Sequence, residues 1–358
     1  MNRRRLLARV SAVALTGSVA RGQPLPVISD TVPPRLGLGL LSSVGAPSFS
    51  LDFVSMPGTL DPRIIFTRAS TATYFDQNGV MQTAAVNAPR WDYNPTTHVL
   101  NGLLIEDQRT NVLLNSATLG TQSVAVTAQA YTLSFYGTGT ITMSGAFAGT
   151  LVGSGAFPAR AQTTFTPAAG TLTCTVTGSV LNAQLEAGAT FATSYVPTTA
   201  VAVTRAQDTC YIAPITPWYN ANAFSVMGEI LNVQGTGGFL GFSDGTFGNS
   251  CYVGAAAGAV TTIGLNFIPT STASPTVAMT RAAITKLAYT FSPTAVRMAG
   301  NGVYGGATAM SGSPFTAPTR FVFGSDPWSM STAFDGYIRR VRYWPRVLSN
   351  FEMQQVTT

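Results

Sequence analysis

From Leu51 onward the chain shows short runs of β-branched and aromatic residues at period two, broken by Gly, Pro, Asn and Ser. Tyr131-Thr-Leu-Ser-Phe-Tyr136, Thr140-Ile-Thr-Met143, Thr171-Leu-Thr-Cys-Thr-Val-Thr177 and Phe224-Ser-Val-Met227 are examples. Alternation of this kind puts successive side chains on opposite faces of a strand, so closely spaced runs predict stacked antiparallel sheets. The expected fold is therefore all-β: two antiparallel, jelly-roll-like β-sandwich domains preceded by an extended basic arm. One helical turn is expected at Ser349–Gln355, where Ser349 and Glu352 have the spacing of a reciprocal N-terminal cap. Ala299-Gly-Asn-Gly302 suits a tight hairpin that needs positive φ. The Pro-rich segment Pro214-Ile-Thr-Pro217 marks a break, which gives expected units 1–48 (arm), 49–212 (first sandwich) and 213–358 (second sandwich). Thr67-Arg68-Ala69 and Thr204-Arg205-Ala206 echo each other, each with a Tyr five residues after its Ala.

Charge sharpens this division. Of 358 residues only 9% are charged and 46% are apolar, so the chain can bury enough surface to fold. Its formal net charge is +6. Residues 1–48 hold six Arg and one Asp and so carry five of those units; the rest is nearly neutral. The basic balance thus belongs to the arm, and no nucleic-acid partner is expected. No uncharged apolar run approaches the roughly 20 residues that cross a bilayer, so no membrane span is expected. Arg3, Arg4, Arg5 and Arg9 are the candidate anchor residues of a retained arm that would order on a partner surface. The alternative is a secretory signal peptide with a basic start, a short apolar stretch Val10–Leu15 and small residues at Ser18 and Ala20.

The segments Phe66-Thr-Arg-Ala-Ser-Thr-Ala-Thr-Tyr-Phe-Asp-Gln-Asn-Gly-Val80, Pro89-Arg-Trp-Asp-Tyr93, Gly102-Leu-Leu-Ile-Glu-Asp-Gln-Arg-Thr-Asn111, Gln184-Leu-Glu-Ala-Gly188 and Thr193-Ser-Tyr-Val-Pro197 follow one another in order. Together they resemble a signature common in virion proteins of tailed phages and prophages, such as head fibres and spikes. Ala288-Tyr-Thr-Phe291, Arg297-Met-Ala-Gly-Asn-Gly302, Phe323-Gly-Ser325 and Gly336-Tyr-Ile-Arg-Arg-Val-Arg-Tyr-Trp344 resemble the concanavalin A-like, laminin G-like jelly roll. These resemblances imply a structural virion protein on the particle surface: a spike, fibre or decoration subunit. It would be held to other virion proteins through the arm, form a homo-oligomer with a trimer as first guess, and bind host-surface polysaccharide. An exported, secreted or periplasmic lectin-like protein and a glycan depolymerase are the alternatives.

The candidate chemistry favours binding. His98 is the single histidine, so a His-based zinc site or a Ser-His-Asp triad lacks parts. Cys174, Cys210 and Cys251 lack metal spacing and read as buried thiols. A glycosidase needs two carboxylates across a sugar, yet adjacent Glu106 and Asp107 point to opposite faces of a strand. Arg68, Glu106, Arg109 and Asn111 accordingly read as structural motif residues, no catalytic residue is assigned, and a non-enzyme is expected. Sugar recognition needs aromatic platforms with polar neighbours. Trp218, Tyr219, Tyr252 and Trp328, with Asp244, Asn249 and Asp326, are the candidates in the second sandwich; Trp91 and Tyr93 are those in the first. No cofactor is expected; calcium is conceivable through Asp244 with Asn249, or Asp326 with Asp335. Alternation along Arg339-Arg340-Val341-Arg342 puts Arg340 and Arg342 outward, toward glycan, a subunit or solvent.

Overall fold

The computed structural model describes residues 44–358 except 189, 232–233, 236, 257–258, 269–274, 281–282 and 311–316. The anchor candidates Arg3, Arg4, Arg5 and Arg9 lie outside the described residues. Within these limits the chain is built from antiparallel strands with one short helix. No helix among the described residues is long and apolar enough to cross a membrane.

Two sheets face each other across the larger core. One has the strand order Val303–Ala309, Ala295–Gly300, Ile284–Phe291, Phe224–Leu231, Gly336–Trp344, Leu100–Ile105, Trp91–Tyr93, with Phe49–Asp52 also pairing with Gly336–Trp344. The other runs Ile64–Thr67, Thr209–Ile212, Arg320–Phe323, Gly238–Ser243, Ser250–Ala256, Ala259–Ile268, Thr276–Ala278. Alternate residues point inward, and Phe224, Phe242, Tyr289, Phe291, Phe321, Phe323 and Tyr343 are all fully buried in the resulting core. Phe242 and Phe321 stack at 4.2 Å between ring centroids.

A second, smaller sandwich is formed by residues 109–205. Its sheets run Gly149–Val152, Thr140–Gly145, Gly170–Thr177, Gln122–Val126 and Gly155–Phe165, Tyr131–Gly137, Leu181–Ala187, Arg109–Asn111, Val203–Arg205. Leu133, Phe135, Ile141, Leu172, Cys174 and Leu185 fill its separate core.

The strand pairing crosses the expected boundary at 212. Phe49–Asp52, Ile64–Thr67, Trp91–Tyr93 and Leu100–Ile105 all join sheets made otherwise of residues after 209, so the small sandwich is an insertion in the jelly roll. The physical reason is that strand neighbours in such a fold are far apart in sequence; a proline-rich connection therefore marks a turn as readily as a domain edge. The arm boundary moves too. Val44 is buried against Trp344 and Leu348, and the Trp344 indole Nε1 donates to the Gly45 carbonyl at 2.7 Å.

Several local expectations hold. Asn301 and Gly302 have φ of 49° and 78°, which allows the two-residue hairpin between the strands ending at Gly300 and starting at Val303. The helix spans Asn350–Thr357 and begins with the reciprocal cap of Ser349 and Glu352. The three cysteines are free and buried. The expected alternation holds from Arg340 to Tyr343, with Val341 and Tyr343 buried and Arg340 and Arg342 half-buried, but it breaks just before. Between Ile338 and Arg340 the pairing with Phe224–Leu231 slips by one residue, so Ile338 and Val341 both reach the core. Arg339 and Arg340 then share Glu229, at 2.7 and 2.8 Å, and Arg340 also meets Asp52 at 3.0 Å. They are internal ion-pair partners.

Because four strands of the jelly roll precede the insertion, residues 213–358 alone are expected not to fold cooperatively, whereas 44–358 is expected to show a single sharp unfolding transition. Circular dichroism melts of the two pieces check this, and a cooperative melt of 213–358 would contradict the shared-sheet topology.

Candidate functional site

The aromatic candidates separate into two groups. Trp218 and Tyr219 are partly buried against the large core: Trp218 stacks on Phe49 at 5.1 Å and meets Tyr343 edge-on at 4.9 Å, while Tyr219 lies 5.2 Å from Phe242. Burial pushes the Tyr219 hydroxyl well up. These two rings are core residues that close the sandwich and form no platform for a ligand. Their sequence context, an aromatic pair after prolines, looks the same in either role.

Tyr252 and Trp328 come together on the opposite, outer side of the second sheet. In register across that sheet stand Tyr211, Val322, Gly241 and Tyr252. A Cβ at Gly241 would sit 2.5 Å from the Tyr252 Cβ and 2.9 Å from the Pro327 Cγ, so the glycine is what lets the segment carrying Trp328 lie down on the sheet. Trp328 meets Tyr252 and Phe247 edge-on, at 5.0 and 4.9 Å between centroids. Phe247, 54% exposed, was not among the expected residues; its flanking glycines hid it as an ordinary turn residue. The segment is fixed from beneath. Arg320 donates from Nε to the Pro327 carbonyl at 2.9 Å and from Nη2 to the Trp328 carbonyl, and Met330 N donates to the Asp326 carbonyl at 2.8 Å.

The polar candidates flank this shelf. Asp244 is exposed, accepts from Thr246 N and Oγ1 at 2.8 and 2.7 Å, and takes the Asn249 amide at 2.9 Å. Burial works against its charge but these bonds hold its pKa below the usual range. Asp326 is half-buried, accepts from Gly238 N at 3.1 Å, and is pushed up by burial. Among the described residues no three His, Cys, Asp or Glu side chains gather as a metal set. Trp91 and Tyr93 line, with Tyr74, Asp76 and Asn78, an open groove of about 370 Å³; Trp91 itself is largely buried. His98 is exposed, with φ of 59°.

The motif residues converge at the base of the insertion. Arg90 donates to Glu106 at 2.7 Å and to Asp208 at 2.5 Å, Arg68 reaches Asp208 at 3.0 Å, and Arg205 reaches Glu106 at 2.7 Å. Arg68, Arg90 and Arg205 are among the largest fully buried side chains of the molecule. The echoed Thr-Arg-Ala segments thus supply two arginines to one cluster. Ser194 donates from N and Oγ to Glu106 at 2.7 and 2.6 Å. Burial alone would raise the Glu106 pKa; Arg205, Arg90 and Ser194 outweigh it and hold the group at about 2. Arg109 bridges Asp107 and Asp335 at 3.3 and 3.4 Å. Asn111 is buried, donates to the Ala183 and Val196 carbonyls, and accepts from Leu113 N and Leu185 N. With two guanidiniums and a hydroxyl closed around it, Glu106 is saturated as an acceptor.

Residues 194–354 match the family model described as the concanavalin A-like lectin/glucanases superfamily. The C-terminal region is a domain of that kind. No curated protein matches the chain. Among solved structures, the chain is similar to the Ruminococcus gnavus IT-sialidase CBM40, at 16% identity and a TM-score of 0.34 over 39% of this chain and 84% of that one. It is also similar to domain 4 of AbnA, a GH43 extracellular arabinanase from Geobacillus stearothermophilus, in complex with arabinotriose. That likeness has 16% identity and a TM-score of 0.36, over 47% of this chain and 82% of that one. A third likeness, to the NanB sialidase from Streptococcus pneumoniae, has 10% identity and a TM-score of 0.34, over 41% of this chain and 26% of that one.

Two predictions follow from the charge cluster. Removing one partner of a buried ion pair strands the others, so Arg90→Met is expected to destabilise the fold by about 3–5 kcal/mol in urea unfolding. A loss under about 1 kcal/mol would contradict the reading that Arg90 compensates both carboxylates. Burial raises the Asp335 carboxyl from 3.8 to about 7, against the opposing pull of Arg109 and Asp107 N. The folded chain therefore holds this proton more tightly than the unfolded chain, and the group's contribution to stability falls as pH rises between about 4 and about 7. Asp335→Asn keeps an oxygen for Asp107 N and removes that decline. The melting temperature of the variant relative to the parent should climb across the window, and a constant offset would be inconsistent.

Proposed function

We propose that the protein is a non-enzymatic glycan-binding protein displayed on the surface of a tailed-phage or prophage particle. The observation that carries glycan binding is the shelf of Phe247, Trp328 and Tyr252 on the outer face of the jelly roll, with Asp244 and Asn249 at its edge. Aromatic faces are complementary to the C–H faces of sugar rings, and adjacent amides and carboxylates suit their hydroxyls. Because Arg320 and Gly241 hold the Trp328 segment against the sheet, the rings are ordered before ligand arrives, which lowers the entropy cost of binding.

Placement on a virion is supported by the ordered series of segments between Phe66 and Pro197 that resembles phage fibre and spike proteins. In this reading the basic segment up to residue 48 docks the protein on the particle and the sandwiches project as a homo-oligomer, with a trimer as first guess. The non-enzymatic reading is supported by Glu106, whose carboxylate is enclosed by Arg90, Arg205 and Ser194.

Binding of the full-length protein to an array of host-surface polysaccharides tests this reading. We expect a positive glycan, and Trp328→Ala is expected to weaken it by about 2 kcal/mol, roughly thirtyfold in affinity, with the melting temperature unchanged. Equal binding by the variant, or no glycan bound by the parent, would overturn it.

A further inference from the structure

The inserted sandwich and the jelly roll line a half-open cavity of about 140 Å³ where they meet. At about 30 Å³ per water molecule this holds roughly five waters, the scale of one small ring. The insertion contributes Tyr136, Arg160 and Phe191, the jelly roll contributes Asp92 and Asp335, and the separate two-stranded sheet of Ala72–Phe75 and Met81–Ala84 contributes Phe75. The shelf at Trp328 shares none of these residues.

The walls combine aromatic rings with fixed polar groups in about equal measure. Phe75 and Tyr136 meet edge-on at 6.4 Å, and Arg160 lies 5.4 Å over the Tyr136 ring. Phe191 is covered on one side by the Arg109 guanidinium at 5.7 Å. Each polar group is held by the scaffold and keeps capacity to spare. Asp92 accepts from Phe75 N and from the Tyr337 hydroxyl, both at 2.7 Å, and more distantly from the Asn101 amide at 3.5 Å. Asp335 accepts from Asp107 N at 2.7 Å and more distantly from Arg109 at 3.4 Å. A carboxylate offers about four acceptor positions, so both have room for a further donor. On the donor side, Arg160 is anchored through Nη1 to the Thr193 carbonyl and Nη2 to Ser134, while its buried Nε has no partner. An acceptor on a bound ligand would satisfy this donor.

We propose that this seam cavity is a saccharide-binding site of its own, which takes a single neutral pyranose residue. The charge pattern selects the class. An anionic sugar would face two acidic side chains, and a cationic one would face Arg160. A hydroxyl both donates and accepts, so a ring of hydroxyls uses the carboxylates and the free Nε together, and its C–H face lies on the aromatic walls. Burial raises Asp92 to about 6 and Asp335 to about 7, against the bonds that favour their charged forms.

Saturation-transfer NMR on the full chain, with methyl glucoside, methyl galactoside, methyl mannoside, glucosamine and glucuronate as probes, tests the site. At least one neutral pyranoside should bind saturably, in Trp328→Ala as in the parent, which separates this site from the shelf. Phe191→Ala is expected to weaken it at least tenfold, and Ala192→Trp, which fills the cavity from its wall, is expected to abolish it. The proposal is overturned if no neutral probe binds, if a charged probe binds more tightly, if binding is lost in Trp328→Ala, or if folded Ala192→Trp binds as the parent does.

Discussion

The structure depends on one buried ionic cluster. Glu106 and Asp208 sit where the chain leaves the jelly roll for the insertion and where it returns; Arg205 binds from the returning strand itself, and Arg68 and Arg90 from two other segments. Charges this deep are costly to desolvate, so the cluster gains little for stability compared with a well-packed apolar substitute. What it supplies is specificity. Five side chains can satisfy one another only when the entry strand, the exit strand and the segment before Trp91 are all in register. The Asp208 carboxylate also accepts from Glu106 N at 2.9 Å, and Glu106 accepts from Ser194 N, so backbone as well as side chains is fixed there.

That cluster ties the insertion to the jelly roll across the seam. The strand Tyr131–Gly137 is buried on both faces: Leu133 and Phe135 enter the small core, while Ser134 and Tyr136 meet the Arg160 side of the seam. An inserted domain on two flexible linkers would leave that second face wet. Here Ser194, in the same return segment, is held by Glu106 and by Arg90 and Arg205, which brings Phe191 and Thr193 against the cavity.

Much of this was legible in the sequence, and the parts that were not share a cause. Local signals held: period-two runs became strands, Asn301-Gly302 became a hairpin, and Ser349 with Glu352 capped the helix. The echo of Arg68 and Arg205 was visible as a repeat, but only the fold shows that both guanidiniums enter one cluster with Arg90 and Asp208. Long-range partnership was the hidden information. The jelly roll borrows strands from before residue 106, so a cut at 212 divides two sheets that a linear reading cannot see joined. Burial was hidden likewise. Trp218 and Trp328 each follow a proline, yet one plugs the core and the other lies on an outer face, and a partner across the sheet decides between them. The seam cavity draws its lining from nine separated stretches, several of them inside the recognised segments, yet nothing in those segments shows that they meet around one cavity.

The central claim is that the buried cluster joins insertion and jelly roll into one cooperative unit. Native-state hydrogen exchange tests it most directly, through the amides of Glu106, Ser194, Leu133 and Leu240 across a series of low denaturant concentrations. The account predicts that these amides, from the junction and from both sandwiches, merge onto a single global unfolding free energy. Exchange of Leu133 and Ser194 through a separate, lower-energy opening of residues 109–205, with Leu240 still protected, would contradict it.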